Sequence, residues 1–242
     1  MKEKELKKIL ETKDAAYFSD EDGNVYVEKG EQKYILSLFD EHLYKLRVFK
    51  GVPILEIDGL RMHLVKDFKT PLEYSREIAS KLGIKKSDTV LDTCMGLGYT
   101  AIEASKKAKK VYTFELNPAV LRLAEWNPWS KLLFSKNIEI SMGDIAEEIK
   151  NLDDNSFSVI IHDPPRFSKA PQLYSLKFYT ELYRISKKSA RIYHYVGSVG
   201  QGKGRKIAEE AEKRLKKAGF TSVKYDKKLQ GLLFRKQAGP PR

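Results

Sequence analysis

A single cysteine, Cys94, in 242 residues leaves no material for an internal disulfide or a multi-cysteine zinc site. No stretch approaches the roughly 18 consecutive apolar residues that a membrane-spanning helix needs. The opening MKEKELKKIL lacks an apolar signal-peptide core and reads as a charged amphipathic helix over residues 2–13, with Leu6, Ile9 and Leu10 on one face. Internal repeats and low-complexity linkers are missing as well. These absences point to a soluble cytoplasmic protein with no membrane partner and no metal. Its length supports one substantial core, or one core with a small appended domain.

Positive charge is in excess. Lysine and arginine number 45 against 33 acidic residues, a formal net charge of +12 spread along the whole chain. A Lys/Glu-rich thermophile surface explains abundant charge of both signs but not so large a surplus. A basic surface attracts polyanions, and nucleic acid is the commonest of them.

Residues 1–66 read as a small N-terminal α+β unit, mainly β. Short runs of Val, Ile, Tyr, Phe and Leu between Ala15 and His63 are separated by Asp22-Gly23-Asn24, Lys29-Gly30, Lys50-Gly51 and Asp58-Gly59. The last pair is a hairpin signal between Ile54–Ile57 and Leu60–His63. Residues 67–242 read as a second, α/β domain. It opens at Thr70-Pro71-Leu72-Glu73, a capping threonine, a proline in the first helical position and a glutamate placed for a capping box. Seven strands are expected, at Thr89–Asp92, Lys110–Glu115, Ile138–Ser141, Phe157–His162, Ala190–Tyr195, Ser222–Asp226 and Leu232–Lys236. Helical patterns at 99–108, 118–126, 145–150, 173–186 and 205–218 alternate with them, which implies a mostly parallel sheet covered on both faces. Only the last two strands lack an intervening helix, so they should close as an antiparallel hairpin.

Ligands of such sheets bind beyond the carboxyl ends of the strands. The first strand ends in Asp92, followed by Thr93, Cys94, Met95, Gly96, Leu97 and Gly98. Two glycines let the backbone pass close to a ligand, while an acid here disfavours a pyrophosphate and favours a ligand with an ammonium group. The second strand ends in Glu115-Leu116-Asn117, its acid placed to accept hydrogen bonds from ribose hydroxyls. The third ends near Gly143-Asp144-Ile145, where Asp144 either accepts from an adenine amino group, with Ile145 on the ring, or caps a helix. The fourth ends in Asp163-Pro164-Pro165-Arg166-Phe167, a stiffened backbone that aims a carboxylate and two carbonyls in one direction.

This set resembles the class I S-adenosylmethionine-dependent methyltransferases over about residues 70 to 236, and is similar to a group of predicted archaeal members. The resemblance implies a Rossmann-like fold with a seven-stranded sheet ending in an antiparallel hairpin, and S-adenosyl-L-methionine as cofactor. It implies that Asp92, Thr93, Met95, Gly96 and Gly98 form the methionine-binding loop. Glu115, with Leu116 and Asn117, matches the ribose-binding segment, Asp144, with Gly143 and Ile145, the adenine side, and Tyr74 a helix that closes over the methionine end. Asp163-Pro164-Pro165 resembles the catalytic motif of the amino-methylating branch. Arg166 stands where that motif has an aromatic residue and Phe167 comes one later, a form similar to ribosomal and transfer RNA methyltransferases. Ring-carbon methylation in those families uses a cysteine downstream of the motif; this chain has none there, which favours nitrogen.

The implied reaction is in-line attack of a nucleobase nitrogen of tRNA or rRNA on the sulfonium methyl. Asp163 and the Pro164 carbonyl would hold the amino group, and Phe167 would stack on the base. Arg166, His194, Lys203 and Arg205 are candidates for contacting the substrate, the last two beside a glycine-rich loop over 197–204. Three other readings compete: a protein or small-molecule methyl acceptor, an aminopropyltransferase of polyamine synthesis, and a non-catalytic RNA-binding module.

Overall fold

Paired left-handed residues turn the chain back on itself twice in the first part of the protein. The computed structural model describes residues 16–63, 67–197 and 203–237, so the helix expected over 2–13 lies outside the described residues. Contacts group the chain into two compact units. Of the described residues, the first takes those up to Tyr74 with Gly96–Tyr99 and Asn117–Ser135; the second takes Ser75–Met95, Thr100–Leu116 and those from Lys136 onward.

The first unit holds a three-stranded antiparallel sheet of β1 (Ala16–Ser19), β2 (Val25–Lys29) and β3 (Gln32–Ile35). A four-stranded sheet follows in the order β4 (Ser37–Asp40), β5 (His42–Phe49), β6 (Val52–Ile57) and β7 (Leu60–Arg61). Lys50-Gly51 has φ of 49° and 78° and Asp58-Gly59 has 48° and 78°, the paired left-handed geometry whose twist matches that of the strands it joins. The expected hairpin at Asp58-Gly59 is therefore present, with Ile57 opposite Leu60. Val25, Val27, Leu36, Leu46, Ile54 and Leu55 form the buried interior.

Six α-helices lie among the described residues: α1 (Pro71–Leu82), α2 (Tyr99–Ser105), α3 (Pro118–Trp126), α4 (Ile145–Glu148), α5 (Leu176–Ile185) and α6 (Lys203–Lys217). The Thr70 hydroxyl accepts from the Glu73 N–H at 3.2 Å, as the sequence predicts. The Glu73 carboxylate reaches one residue further back than a capping box requires, to the Lys69 N–H at 2.8 Å.

The second unit is built on a seven-stranded sheet of β8 (Thr89–Asp92), β9 (Lys110–Glu115), β10 (Ile138–Met142), β11 (Phe157–His162), β12 (Ser186–Tyr195), β13 (Phe220–Asp226) and β14 (Gly231–Lys236). Its order is β10-β9-β8-β11-β12-β14-β13. The first five strands are parallel, and β14 pairs antiparallel with both β12 and β13. This is the Rossmann-like methyltransferase sheet with its C-terminal hairpin. Strands β8 and β11 are neighbours whose onward connections run to opposite sides, which makes their carboxyl ends the topological switch point.

The helix expected over 173–186 is broken. A 3₁₀ turn spans Pro171–Tyr174, and α5 starts only after Ser175, an extended residue (φ −81°, ψ 154°) whose hydroxyl accepts from the Phe178 N–H. That break places Tyr174 in a turn beside the Asp-Pro-Pro segment. Strand β12 begins four residues earlier than expected and carries an irregularity, with Ser189 at φ 63°.

Candidate active site

At the switch point, β8 delivers Asp92 and β11 delivers His162 and Asp163. Asp92 is wholly buried and its carboxyl accepts from the hydroxyls of Thr100 at 3.1 Å and Thr113 at 2.9 Å. Burial pushes its pKa up to about 8, with the charges of Asp163 and Glu115 adding to the effect against the two hydroxyl donors. The same three carboxylates bear on Cys94, whose thiol burial already lifts well above its ordinary value. These surroundings disfavour a Cys94 thiolate.

The segments flanking this centre are held by backbone bonds. Thr93 N–H donates to Ile161 O at 3.0 Å, Met95 N–H to Phe114 O at 2.8 Å, and Gly143 N–H to Glu115 O at 2.9 Å. Glu115 and Asp163 are half-buried at their strand ends. Asp144 caps α4, accepting from the Ala146 N–H at 2.9 Å, which realises the capping role its sequence context allows. Ile145 does not present itself as a ring-packing surface: at 4% exposure it belongs to the core cluster with Leu91 and Phe114. The exposed apolar groups at this edge are Leu116, at 63%, and Met142, at 43%, a residue the sequence did not single out.

Behind Asp163 lies a buried layer of aromatic and imidazole rings. His162 Nδ1 lies 2.7 Å from the Thr93 hydroxyl and Nε2 lies 3.0 Å from the Leu173 carbonyl. The second contact requires an Nε2–H, so Nδ1 accepts from Thr93. Its ring lies tilted against His194 at 4.4 Å between centroids, and Tyr174 meets His194 at 5.0 Å and Phe167 at 5.5 Å. Tyr174 also donates to the Pro165 carbonyl at 3.0 Å. Phe167 is half-buried, Pro164 buried, and Pro165 and Arg166 exposed. Arg166 and Asp163 act with opposite sign on the Tyr195 phenol, whose pKa burial raises first.

Several expected contacts are corrected here. His194 does not face a substrate: it is wholly buried, with Nε2 2.8 Å from the Tyr179 hydroxyl and Nδ1 3.3 Å from the His162 carbonyl. Its ring is enclosed by those of His162, Tyr174 and Tyr179, which cover this face of β12 at its end. The side chains of Lys203 and Arg205, and the loop residues 198–202, lie outside the described residues.

Four residues expected at the cofactor group with the first unit. Tyr74 is 3% exposed and packs edge-on against Phe68 at 5.3 Å. Asn117 caps α3, its Oδ1 accepting from the Ala119 N–H at 2.8 Å while its Nδ2 donates to the Tyr44 hydroxyl at 2.5 Å. Gly96 and Gly98 hold left-handed φ values of 55° and 77°, which explains glycine at both positions. In the same unit Trp126 is buried and Trp129 is 40% exposed.

Among the described residues no helix is long and apolar enough to cross a membrane, and no group of three His, Cys, Asp or Glu side chains is arranged to hold a metal. A family model described as S-adenosyl-L-methionine-dependent methyltransferase matches residues 123–229. An uncharacterized protein of Methanocaldococcus jannaschii is 42% identical over 214 residues, covering 88% of this chain and 74% of that one. A candidate ribosomal RNA small subunit methyltransferase A of Pyrococcus furiosus is 33% identical over 108 residues, 39% of this chain and 37% of that one. Among solved structures, spermidine synthase from Thermotoga maritima superposes with a TM-score of 0.66 at 16% identity, covering 86% of this chain and 76% of that one. The last likeness is one of fold.

Proposed function

The chain belongs to the S-adenosyl-L-methionine-dependent methyltransferases, and from that premise we propose that it methylates an amino nitrogen of an RNA base. The observation that carries this reading is Asp163 on a rigid platform: a half-buried carboxylate at the switch point, followed by two prolines whose second carbonyl is tied down by Tyr174.

The residues at this edge suit the cofactor chemically. It is a cation with a sulfonium and an ammonium group; Glu115 and Asp163 bring negative charge to the strand ends, and Asp92 gains a third by releasing its proton. Glu115 would hold the ribose, Asp144 the adenine side, and the exposed Leu116 and Met142 offer apolar surface to the purine. When bound, the cofactor supplies an activated methyl group on sulfur.

Asp163 and the Pro164 carbonyl accept hydrogen bonds from the acceptor amino group and turn its lone pair toward that methyl. Alignment of this kind contributes on the order of 7–11 kcal/mol to such reactions. The Asp163 carboxylate also stabilises positive charge as it grows on the nitrogen. Phe167 stacks on the base, a contact worth about 1–3 kcal/mol in single-strand recognition. The lack of any cysteine downstream of the Asp-Pro-Pro segment supports nitrogen over ring carbon. The net charge of +12 and the partial similarity to a ribosomal RNA methyltransferase support RNA as the acceptor.

Incubation with labelled S-adenosylmethionine and unmodified bulk RNA, followed by nucleoside mass spectrometry, tests the reading. The expected product is an N-methylated nucleoside that is absent with Asp163→Ala. Label appearing in protein or in small molecules and not in RNA would sink it.

A further inference from the structure

Carboxylates gather at the carboxyl edge of the seven-stranded sheet, whereas cations gather at its amino edge. There an open pocket of about 520 Å³ is lined by Lys81, Lys85, Arg191 and Arg235 against one acid, Asp88. Asp88 is spent within the wall: it takes Arg191 at 2.6 Å, the Lys85 N–H at 2.6 Å and the Ser158 hydroxyl at 2.8 Å. Arg191 is spent too, donating further to the carbonyls of Leu82 and Gly83 at 2.9 and 2.6 Å. Lys81 pairs with Asp226 at 3.2 Å.

Lys85 and Arg235 remain. Both are exposed, both line the pocket, and neither forms an ion pair among the described residues. The Ser87 and Ser189 hydroxyls lie on the same wall. Ser189 is held in a left-handed conformation at the β12 irregularity, a geometry that costs free energy in a non-glycine residue. Lys187 and Lys188, in the same stretch, are exposed, and exposed Lys109 precedes β9 at the same edge.

We propose that this pocket binds a backbone phosphate of an RNA strand, held by Lys85 and Arg235 at a distance from the reacting groups. Phosphate is an acceptor-only anion, and the pocket offers an ammonium, a guanidinium fork and two hydroxyls. Lys109, Lys187 and Lys188 add positive charge at the same edge outside the pocket lining, which suits a linear polyanion better than a single small anion. The acidic carboxyl edge repels phosphates, so a strand offering a base to Asp163 needs its backbone gripped elsewhere. The inference rests on RNA as the acceptor, yet the two fail separately: Asp163→Ala abolishes transfer while leaving this grip intact.

The test is fluorescence anisotropy of the full chain with a labelled mixed-sequence single-stranded RNA across a range of potassium chloride. Lys85→Glu with Arg235→Glu should weaken binding by about tenfold or more and flatten the salt dependence by about one phosphate contact. Lys85→Gln with Arg235→Gln should move both in the same direction by less. Calorimetric affinity for S-adenosylmethionine should stay as in the wild type, which reports an intact fold. Wild-type protein that fails to bind the RNA, or an equal loss from the charge-matched pair Lys69→Glu with Lys131→Glu, overturns the proposal.

Discussion

The Tyr174 phenol donates a 3.0 Å hydrogen bond to the carbonyl of Pro165, two residues past Asp163. Its ring is also fixed, edge-on to Phe167 and tilted against His194. Tyr174 thus positions the platform without touching the reacting atoms. Tyr174→Phe keeps the ring contacts and deletes one bond, worth about 0.5–1.5 kcal/mol. Turnover should fall by roughly two- to tenfold while cofactor affinity by calorimetry is unchanged. Unaltered turnover would remove Tyr174 from this role.

Asp92 carries a proton at neutral pH, because burial has pushed its pKa up to about 8. A cationic cofactor brought to this edge favours the ionised form and expels that proton. Binding titrations at pH 7 in buffers of different ionisation enthalpy should therefore report release of up to about one proton. Asp92→Asn should abolish the buffer dependence.

Stability should peak near pH 6.5. Burial lowers the imidazole pKa of His63 and His162 to about 4 and that of His194 well below its ordinary value. Between about pH 4 and 6.5 the unfolded chain therefore binds more protons at these three sites, so stability rises with pH. Asp92 acts oppositely, since the folded protein holds its proton up to about pH 8. Three groups outweigh one below pH 6.5, and Asp92 acts alone above it. A melting temperature that climbs steadily from pH 6.5 to 8 would contradict this balance, and Asp92→Asn should flatten the alkaline side.

The two loop glycines should differ in their tolerance of a methyl group. A Cβ on Gly96 meets open space, so Gly96→Ala costs only the left-handed backbone term, about 1–2 kcal/mol. A Cβ on Gly98 falls 2.6 Å from the Leu133 side chain, which is itself wholly buried. Overpacking adds about 1–3 kcal/mol there. Urea unfolding should rank Gly98→Ala as clearly the less stable, and equal midpoints would refute the packing argument.

Cys94 should be chemically quiet. Burial, reinforced by Glu115, Asp92 and Asp163, keeps its thiol protonated well past neutrality. Iodoacetamide should label it slowly at pH 8 relative to an exposed thiol with a pKa of about 8.5. Cys94→Ala should retain methyl transfer.

Much of the second unit is legible in the sequence because its parallel strands are short apolar runs ending in a charged or glycine-rich turn. Thr89–Asp92, Lys110–Glu115 and Phe157–His162 fall where their patterns predict. Interactions that depend on register are not legible. Thr113 meets Asp92 only because β8 and β9 pair residue for residue, and no local signal links the two. His194 looks substrate-facing at a strand end, yet the 3₁₀ turn and α5 lay Tyr174 and Tyr179 over its ring. The break before α5 hides behind good helical periodicity, and with it the contact between Tyr174 and Pro165.

The interleaving of the two units bears on the order in which the chain can mature during synthesis. The first unit draws Tyr99 onto the Pro53 carbonyl at 2.8 Å, Ser130 onto the Leu97 carbonyl at 2.6 Å and Asn117 onto Tyr44. Its hairpins can form as soon as they leave the ribosome, but these closing contacts must wait for a segment ending at Ser135. By then β8, β9 and α2 have also been made. The β unit therefore closes only after the first two of the sheet's seven strands have been made, and neither unit is a module that could be exchanged by cutting the chain once.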